Sequence, residues 1–262
     1  MTDLASIAAD LQAEQQALDA VVAGLPSEQW DAPTPSPGWA VRDQIGHLTY
    51  FDGAAALAIT DEARFRASLE SLSTAGDRME AVTLFRDLEA DELLARWRAN
   101  RHELLDAATR LQDGQRVPWY GPPMSAKSFL TARLMECWAH GTDVVDAVGG
   151  HRPATDRLRH VAQIGVITRG WTYANRGEEV PRGEVRVELT SPAGTDVWTF
   201  GPEEAQATVR GPAEHFCLVV TQRRHLDDTD LAVVGDIALD WMTKAQAYAG
   251  PPTDGPAPRG AR

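Results

Sequence analysis

The chain has 262 residues, 43% of them hydrophobic, and a formal net charge of −13, so its length suits one large domain or two modest domains with buried cores. Nucleic-acid binding depends on clustered basic side chains, and the only lysines are Lys127 and Lys244. No apolar run approaches the roughly 18 residues that a membrane span needs. Composition therefore favours a globular protein that binds neither nucleic acid nor membranes.

The N-terminus, Met-Thr-Asp-Leu-Ala-Ser, lacks the basic-then-apolar order of a signal peptide. Two cysteines, Cys137 and Cys217, cannot form a disulfide framework, and both lie in apolar helical contexts. We therefore expect reduced core cysteines and a cytoplasmic protein.

The first half of the chain carries the apolar periodicity of amphipathic helices. Helices are predicted at 3–23, from about residue 40, at 89–111 and at 126–148, with 69–74 as the end of a short helix. A stiff, proline-rich loop spans 31–39, Ser125 can cap the last helix, and Gly149 with Gly150 ends it. This pattern predicts an up-and-down bundle over residues 1–152, and metal sites in such bundles are built from facing helices.

The pattern changes after residue 152. One helix is predicted at 158–171, strands at 184–189, 197–200 and 207–210, and helices at 212–222 and 237–248. A mostly α protein with a smaller α+β domain over 153–249 follows. The tail, residues 250–262, is rich in Pro and Gly, cannot bury a core and is predicted to be disordered.

Two side chains in the helix at 126–148 have the spacing of metal ligands. Glu136 and His140 are four residues apart, which in a helix places their Cβ atoms roughly 5–6 Å from each other on one face. The best third ligand is His47 on the second helix. Two histidines and one glutamate are typical of catalytic zinc, because three protein ligands leave a position open. Asp143, three residues beyond His140, is expected to orient a ligand.

Spacing alone leaves other interpretations open. A Glu-x-x-x-His pair on a helix is usually a solvated face, and a lone His47 on an apolar face is more often a core histidine. Neither matches the His-Glu-x-x-His arrangement of metalloproteases.

Two stretches resemble a known family. LDAVVAGLPSEQW (18–30) with TPSPGWAVRDQIGHL (34–48) is similar to the opening of the mycothiol-dependent maleylpyruvate isomerase family, within the DinB-like metal-binding superfamily. ECWAHGTD (136–143) resembles the second metal motif of that family, and the resemblance covers roughly residues 5–150. It implies a DinB-like four-helix bundle that holds a divalent metal, usually zinc, through His47, Glu136 and His140, and mycothiol as a cosubstrate.

A weaker resemblance lies in the second half. GPAEHFCLVVTQRR (211–224) is similar to a C-terminal pattern of the same proteins, with Thr-Gln before the arginine where the family more often has Gly. Arg223 or Arg224 is a candidate for binding an anionic substrate or a thiol-cofactor carboxylate, because Arg pairs bidentately with such groups. A solvated helix-end arginine is the alternative. Modules of this sort are also labelled wyosine-forming, a label that the acidic charge and the lack of a cysteine cluster do not support.

The leading hypothesis is a metal-dependent enzyme that activates a small thiol, with mycothiol the first choice, for addition to an electrophilic small molecule. The outcome is S-transfer or isomerisation, and Asp43, one turn before His47, is the candidate general acid. A thiol-independent metal enzyme that hydrolyses, opens or cyclises a small metabolite is the second hypothesis. A non-catalytic metal- or ligand-binding protein is the third.

Overall fold

The structure is a computed structural model that describes residues 3–71 and 83–260. The chain divides into two compact units, Met1–Arg152 and Pro153–Arg262. Across the described ranges, no helix combines the length and apolarity that crossing a bilayer requires.

The first unit is helical. Its helices are α1 (Leu4–Val22), α2 (Val41–Thr60), α3 (Glu62–Ser71), α4 (Ala90–Ala108) and α5 (Ala126–Val148), with a 3-10 turn at Ser27–Asp31 and a short hairpin of β1 (Arg116–Val117) and β2 (Met124–Ser125). The predicted helical half is confirmed. The hairpin has no counterpart among the predicted elements, and residues 72–74 of the predicted short helix lie outside the described residues.

The long helices of this unit pack through one apolar core. Helix α1 packs against α5, and α2 packs against both α4 and α5. The core is built from fully buried apolar side chains, including Leu18, Ile45, Leu48, Leu93, Trp97, Cys137 and Val144. Burying a large apolar side chain contributes about 1.5–3 kcal/mol, so this core sets α2 beside α5.

Local signals set the bounds of α5, the longest helix. Ser125 Oγ accepts a hydrogen bond from the Ser128 amide at 3.2 Å, as predicted for its cap. The helix ends at Gly149, whose φ of 67° suits glycine. The 23 residues between them carry Glu136 and His140.

Ion pairs also join the helices of the first unit. Asp52 of α2 and Arg133 of α5 pair at 3.1 Å with side-chain exposures of 2% and 4%. Trp97 of α4 donates to the same carboxylate at 3.3 Å. This buried network ties three helices together one turn before Glu136 on α5.

The second unit contains helices and one four-stranded sheet. Its elements are α6 (Leu158–Ile167), α7 (Arg169–Arg176), β3 (Val185–Thr190), β4 (Val197–Phe200), β5 (Ala207–Pro212), α8 (Ala213–Val220), a 3-10 turn (Leu226–Asp228), β6 (Ala232–Val234) and α9 (Asp236–Lys244). The sheet order is β4-β3-β5-β6, with β3 and β5 parallel and the outer pairs antiparallel. The predicted α+β class is confirmed.

Two details differ from the predicted elements. The predicted helix at 158–171 is two helices, because Thr168 leaves helical geometry (φ −86°, ψ 6°) and its hydroxyl donates to the Ile164 carbonyl at 2.7 Å. Strand β6 was not predicted. Its three residues pair with β5 and form a strand because of that partner.

The Pro- and Gly-rich tail has no helix or strand in residues 250–260. Disorder is predicted for this segment, but it forms hydrogen bonds with earlier residues of the second unit. Gln222 Nε2 donates to the Thr253 carbonyl at 3.0 Å, and the Arg259 amide donates to Asp228 at 3.0 Å. Hydrogen bonds, rather than a core, hold these residues.

Candidate metal centre

Helices α2 and α5 bring three side chains from distant parts of the chain together. One ligating atom each from His47, Glu136 and His140 lie within 4.8 Å of one another. Glu136 Oε2 is 3.4 Å from His47 Nε2 and 3.1 Å from His140 Nε2. The three residues named from the sequence therefore form one cluster in the first unit.

The cluster is partly covered and electrostatically coupled. The side chains of His47, Glu136 and His140 are 16%, 20% and 10% exposed. Burial raises the pKa of the Glu136 carboxyl, but the adjacent imidazoles of His140 and His47 outweigh burial and hold this pKa well below its ordinary value. Glu136 is thus a carboxylate at neutral pH.

The donor set and its spacing fit a divalent metal. Imidazole nitrogens and a carboxylate oxygen are the ligands of catalytic zinc, at bond lengths of about 2.0–2.2 Å. In a tetrahedron with such bonds, neighbouring ligand atoms are about 3.3 Å apart. Glu136 Oε2 lies 3.1 Å from His140 Nε2 and 3.4 Å from His47 Nε2. The residues present therefore match the metal that the family resemblance implies.

A glutamine that the sequence analysis did not single out completes the cluster. Gln44 Oε1 lies 2.5 Å from His140 Nδ1, and Gln44 is fully buried. Gln44 precedes His47 by three residues and so shares a helix face with it. This spacing is the sequence feature that could have identified it. Asp143 is also buried but accepts a hydrogen bond from Ser36 at 3.0 Å, which ties the proline-rich loop to α5.

Aromatic rings flank the imidazoles. The Trp39 ring lies 5.8 Å from that of His140 in a stacked arrangement and 5.5 Å from that of His47. Phe51, one turn after His47, lies 4.5 Å from its ring and 5.3 Å from Tyr120. These rings form an apolar wall around the cluster.

The candidate general acid, Asp43, has a structural role in these contacts. One carboxylate oxygen accepts from the Ala40 amide at 2.8 Å at the start of α2, and the other accepts from Arg86 at 2.7 Å. With both oxygens engaged, Asp43 holds the first turn of α2. It also lines, with Trp39, a groove of about 470 Å³.

The two arginine candidates lie in the second unit, just after α8. Arg223 Nη1 donates to the Thr221 carbonyl at 2.6 Å, and Arg224 Nη1 donates to the Arg223 carbonyl at 2.6 Å. Both side chains are half-buried. Part of each guanidinium thus holds the local backbone.

Neither cysteine has the setting of a reactive thiol. Cys137 is 2% exposed and Cys217 is 0% exposed, and burial raises the pKa of both thiols. Neither cysteine is therefore a candidate nucleophile.

Comparison with known proteins agrees with this architecture. Residues 11–145 match the family model described as Mycothiol maleylpyruvate isomerase N-terminal domain. Residues 181–234 match a model described as Wyosine base formation, a similarity that charge and cysteine content had not favoured.

Two uncharacterized proteins of Mycobacterium tuberculosis, from strains CDC 1551 / Oshkosh and ATCC 25618 / H37Rv, are each 46% identical over 257 residues, covering 97% of this chain and 100% of theirs.

Two solved structures share the fold. The crystal structure of a mycothiol-dependent maleylpyruvate isomerase matches with a TM-score of 0.60 at 16% identity, and that of a point mutant matches with 0.61 at 18%. Each match covers 90% of this chain and 94% of the other. Because the N-terminal domain model spans more than half of the 262 residues, the chain belongs to the mycothiol-dependent maleylpyruvate isomerase family.

Proposed function

We propose that this protein is a metal-dependent enzyme that uses a small thiol, with mycothiol the first choice, to isomerise or S-conjugate an electrophilic small molecule. The observation that carries the proposal is the convergence of His47, Glu136 and His140 within 4.8 Å, in a chain of a family named for a mycothiol-dependent isomerase.

The three residues supply two imidazole nitrogens and one ionised carboxylate, and zinc is the metal that fits them best. A free thiol, with a pKa of about 8.5, is only a few per cent thiolate at pH 7; a metal bound here supplies the charge that lowers this pKa and makes the thiolate available.

The reaction needs a sulfur that leaves as easily as it arrives. The thiolate sulfur attacks an electron-poor carbon, the S–C bond forms, and the electron pair moves onto the electron-withdrawing group of the substrate. In isomerisation, rotation about the resulting single bond precedes cleavage of the same S–C bond, so the thiol is regenerated. In S-transfer, the S–C bond is kept and a proton completes the adduct.

Other side chains have proposed supporting roles. Trp39 and Phe51 limit water around the imidazoles and so favour the nucleophile over its hydrated form. Arg223 or Arg224 binds an anionic group of the substrate or of the thiol, since an Arg can pair bidentately with a carboxylate.

The test is turnover of an electrophile and recovery of thiol, followed with zinc-loaded and chelator-treated protein in the presence and absence of mycothiol. We expect turnover only when both are present. His47→Ala and Glu136→Gln should lose bound zinc and fall to the rate of chelator-treated wild type.

His102→Ala is the matched control, because this histidine lies on the exposed face of α4 with 76% of its side chain accessible; it should keep full activity. Turnover that persists after the metal is removed would reject the proposal. Metal-dependent turnover in thiol-free buffer would instead support the thiol-independent hypothesis.

A further inference from the structure

We infer that Gln44 is a positioning residue that selects which ring nitrogen of His140 carries the proton, and thereby presents His140 Nε2 as a lone pair toward Glu136. The inference uses the metal centre of the proposed function for one of its two tests; the other test needs no metal.

The orientation of the Gln44 amide follows from its other contact. The Thr34 hydroxyl donates to the Trp39 carbonyl at 2.8 Å, and a carbonyl can only accept. The Thr34 oxygen is then the acceptor for Gln44 Nε2, at 2.9 Å. With its amino group turned toward Thr34, Gln44 must turn its carbonyl oxygen toward His140.

That orientation determines the tautomer of His140. Gln44 Oε1 can only accept, so His140 Nδ1, at 2.5 Å, must carry the proton. A neutral imidazole has one N–H, so its Nε2 is left with a lone pair. This nitrogen lies 3.1 Å from a Glu136 carboxylate oxygen, so a metal bound between them would meet one lone pair from each.

The supporting loop is held against both helices. Pro33 and Ala40 form a β-bridge at its base, and the Thr34 amide also donates to the Trp39 carbonyl at 2.8 Å. Ser36 donates to Asp143 of α5 at 3.0 Å. Hydrogen bonds thus run in one direction, from His140 on α5 to Gln44 on α2, from Gln44 to Thr34 of the loop, and from Thr34 to the Trp39 carbonyl.

The first test reads the tautomer in metal-free protein by long-range ¹H–¹⁵N NMR of the histidine rings, at a pH where His140 is neutral. We expect the Nδ1–H form in wild type. Thr34→Val leaves Gln44 without the hydroxyl that orients it and should admit the Nε2–H form, whereas Thr34→Ser should keep the wild-type spectrum.

The second test measures affinity for zinc alone, by competition with a chromophoric chelator. Loss of a hydrogen-bond partner of a metal-ligating histidine typically weakens binding about 10–100-fold, which is the loss expected for Gln44→Met. Gln44→Glu keeps an acceptor at His140 Nδ1 and should restore affinity close to wild type.

The matched control is Gln15→Met. Gln15 is 1% exposed, as buried as Gln44, but its amide donates to Asp52 and not to the cluster. This variant loses a buried amide without touching the histidines, so its zinc affinity should stay at the wild-type value.

Wild-type zinc affinity in folded Gln44→Met, or an Nε2–H tautomer in metal-free wild type, would overturn the inference. If Gln44→Met does not fold, Gln44→Glu and the Thr34→Val and Thr34→Ser pair decide the question. A wild-type protein that binds no zinc would remove the proposed function, while the NMR result would still decide the role of Gln44.

Discussion

Gln222 adopts a backbone conformation that most residues avoid. Within residues 3–71 and 83–260 it is the one non-glycine residue with a positive φ, at 57°. Left-handed backbone geometry costs roughly 1–2 kcal/mol for such a residue. Its side-chain amide compensates. It donates to the Ala245 and Thr253 carbonyls at 3.2 and 3.0 Å and accepts from the Tyr248 hydroxyl at 2.5 Å.

Substitutions at this position should therefore rank in a particular order of stability. Gln222→Ala loses the hydrogen bonds and keeps the backbone cost, so we expect a loss of about 1–3 kcal/mol. Gln222→Gly loses the same bonds but relieves the backbone, and should fall between Ala and wild type. Urea unfolding measures the three free energies. An alanine variant as stable as wild type would show that the amide contributes nothing.

The site also shows what residue-level reasoning from sequence can reach. A helical spacing of four predicted that Glu136 and His140 share a face, and both do. The contact of Gln44 with His140 depends on how two helices and a loop pack, which no local spacing encodes. The roles of Asp43 as a general acid and of Asp143 as an orienting group rested on sequence proximity and stay predictions. In the structure these carboxylates accept hydrogen bonds from Arg86 and Ser36.

At the scale of elements, α1 and α4 are joined through one carboxylate. Asp19 of α1 accepts two hydrogen bonds from Arg98, at 2.5 and 2.9 Å, and a third from Arg101. The hydrogen bond from Arg98 is the largest favourable contribution, and together with the charges of both arginines it lowers the pKa of Asp19 despite partial burial.

The lowered pKa predicts a pH-dependent contribution to stability. A carboxyl group with a folded-state pKa below its unfolded value of about 3.9 stabilises the fold above that value, and the contribution is lost as pH falls through the folded pKa. Asp19→Asn should cost about 1–2 kcal/mol at pH 7, and the difference from wild type should shrink as the pH falls below about 4. Denaturant unfolding across this pH range measures both effects.

Asp106→Asn provides the comparison, since Asp106 is an exposed carboxylate on α4 that faces His102 at 3.5 Å. A surface pair of this kind contributes about 0–1 kcal/mol. If Asp19→Asn showed an equally small effect at pH 7, the join between α1 and α4 would be electrostatically unimportant.

Element prediction succeeded where periodicity was long. Helix α5 has the predicted bounds, and α1 and α2 begin within a residue or two of theirs, because their apolar faces repeat over several turns. The break at Thr168 was not predicted, because one non-helical residue leaves the apolar pattern on either side intact. The two-residue strands of the β1–β2 hairpin depend on each other rather than on local propensity.

At the scale of the whole molecule, the candidate metal centre lies within one unit. Every contact described for His47, Glu136 and His140 lies between residues 34 and 143, inside the unit that ends at Arg152. We expect a fragment of residues 1–152 to unfold cooperatively and to bind zinc with the affinity of the full chain. Calorimetry and chelator competition measure these two properties.

The fragment should have no thiol-dependent turnover if Arg223 or Arg224 binds substrate. Arg223→Gln and Arg224→Gln in the full chain separate this role from a general need for the second unit. A folded fragment that no longer holds zinc would show that the centre requires residues beyond Arg152.

The distribution of sulfur has a practical consequence. Each unit contains a single cysteine, sealed in its own interior, at positions 137 and 217. A chromogenic disulfide reagent mixed with native protein should therefore register only added mycothiol, with no background from the chain. During denaturation the same reagent labels Cys137 when the first unit opens and Cys217 when the second unit opens, and mass spectrometry of the labelled peptides assigns each label to its cysteine.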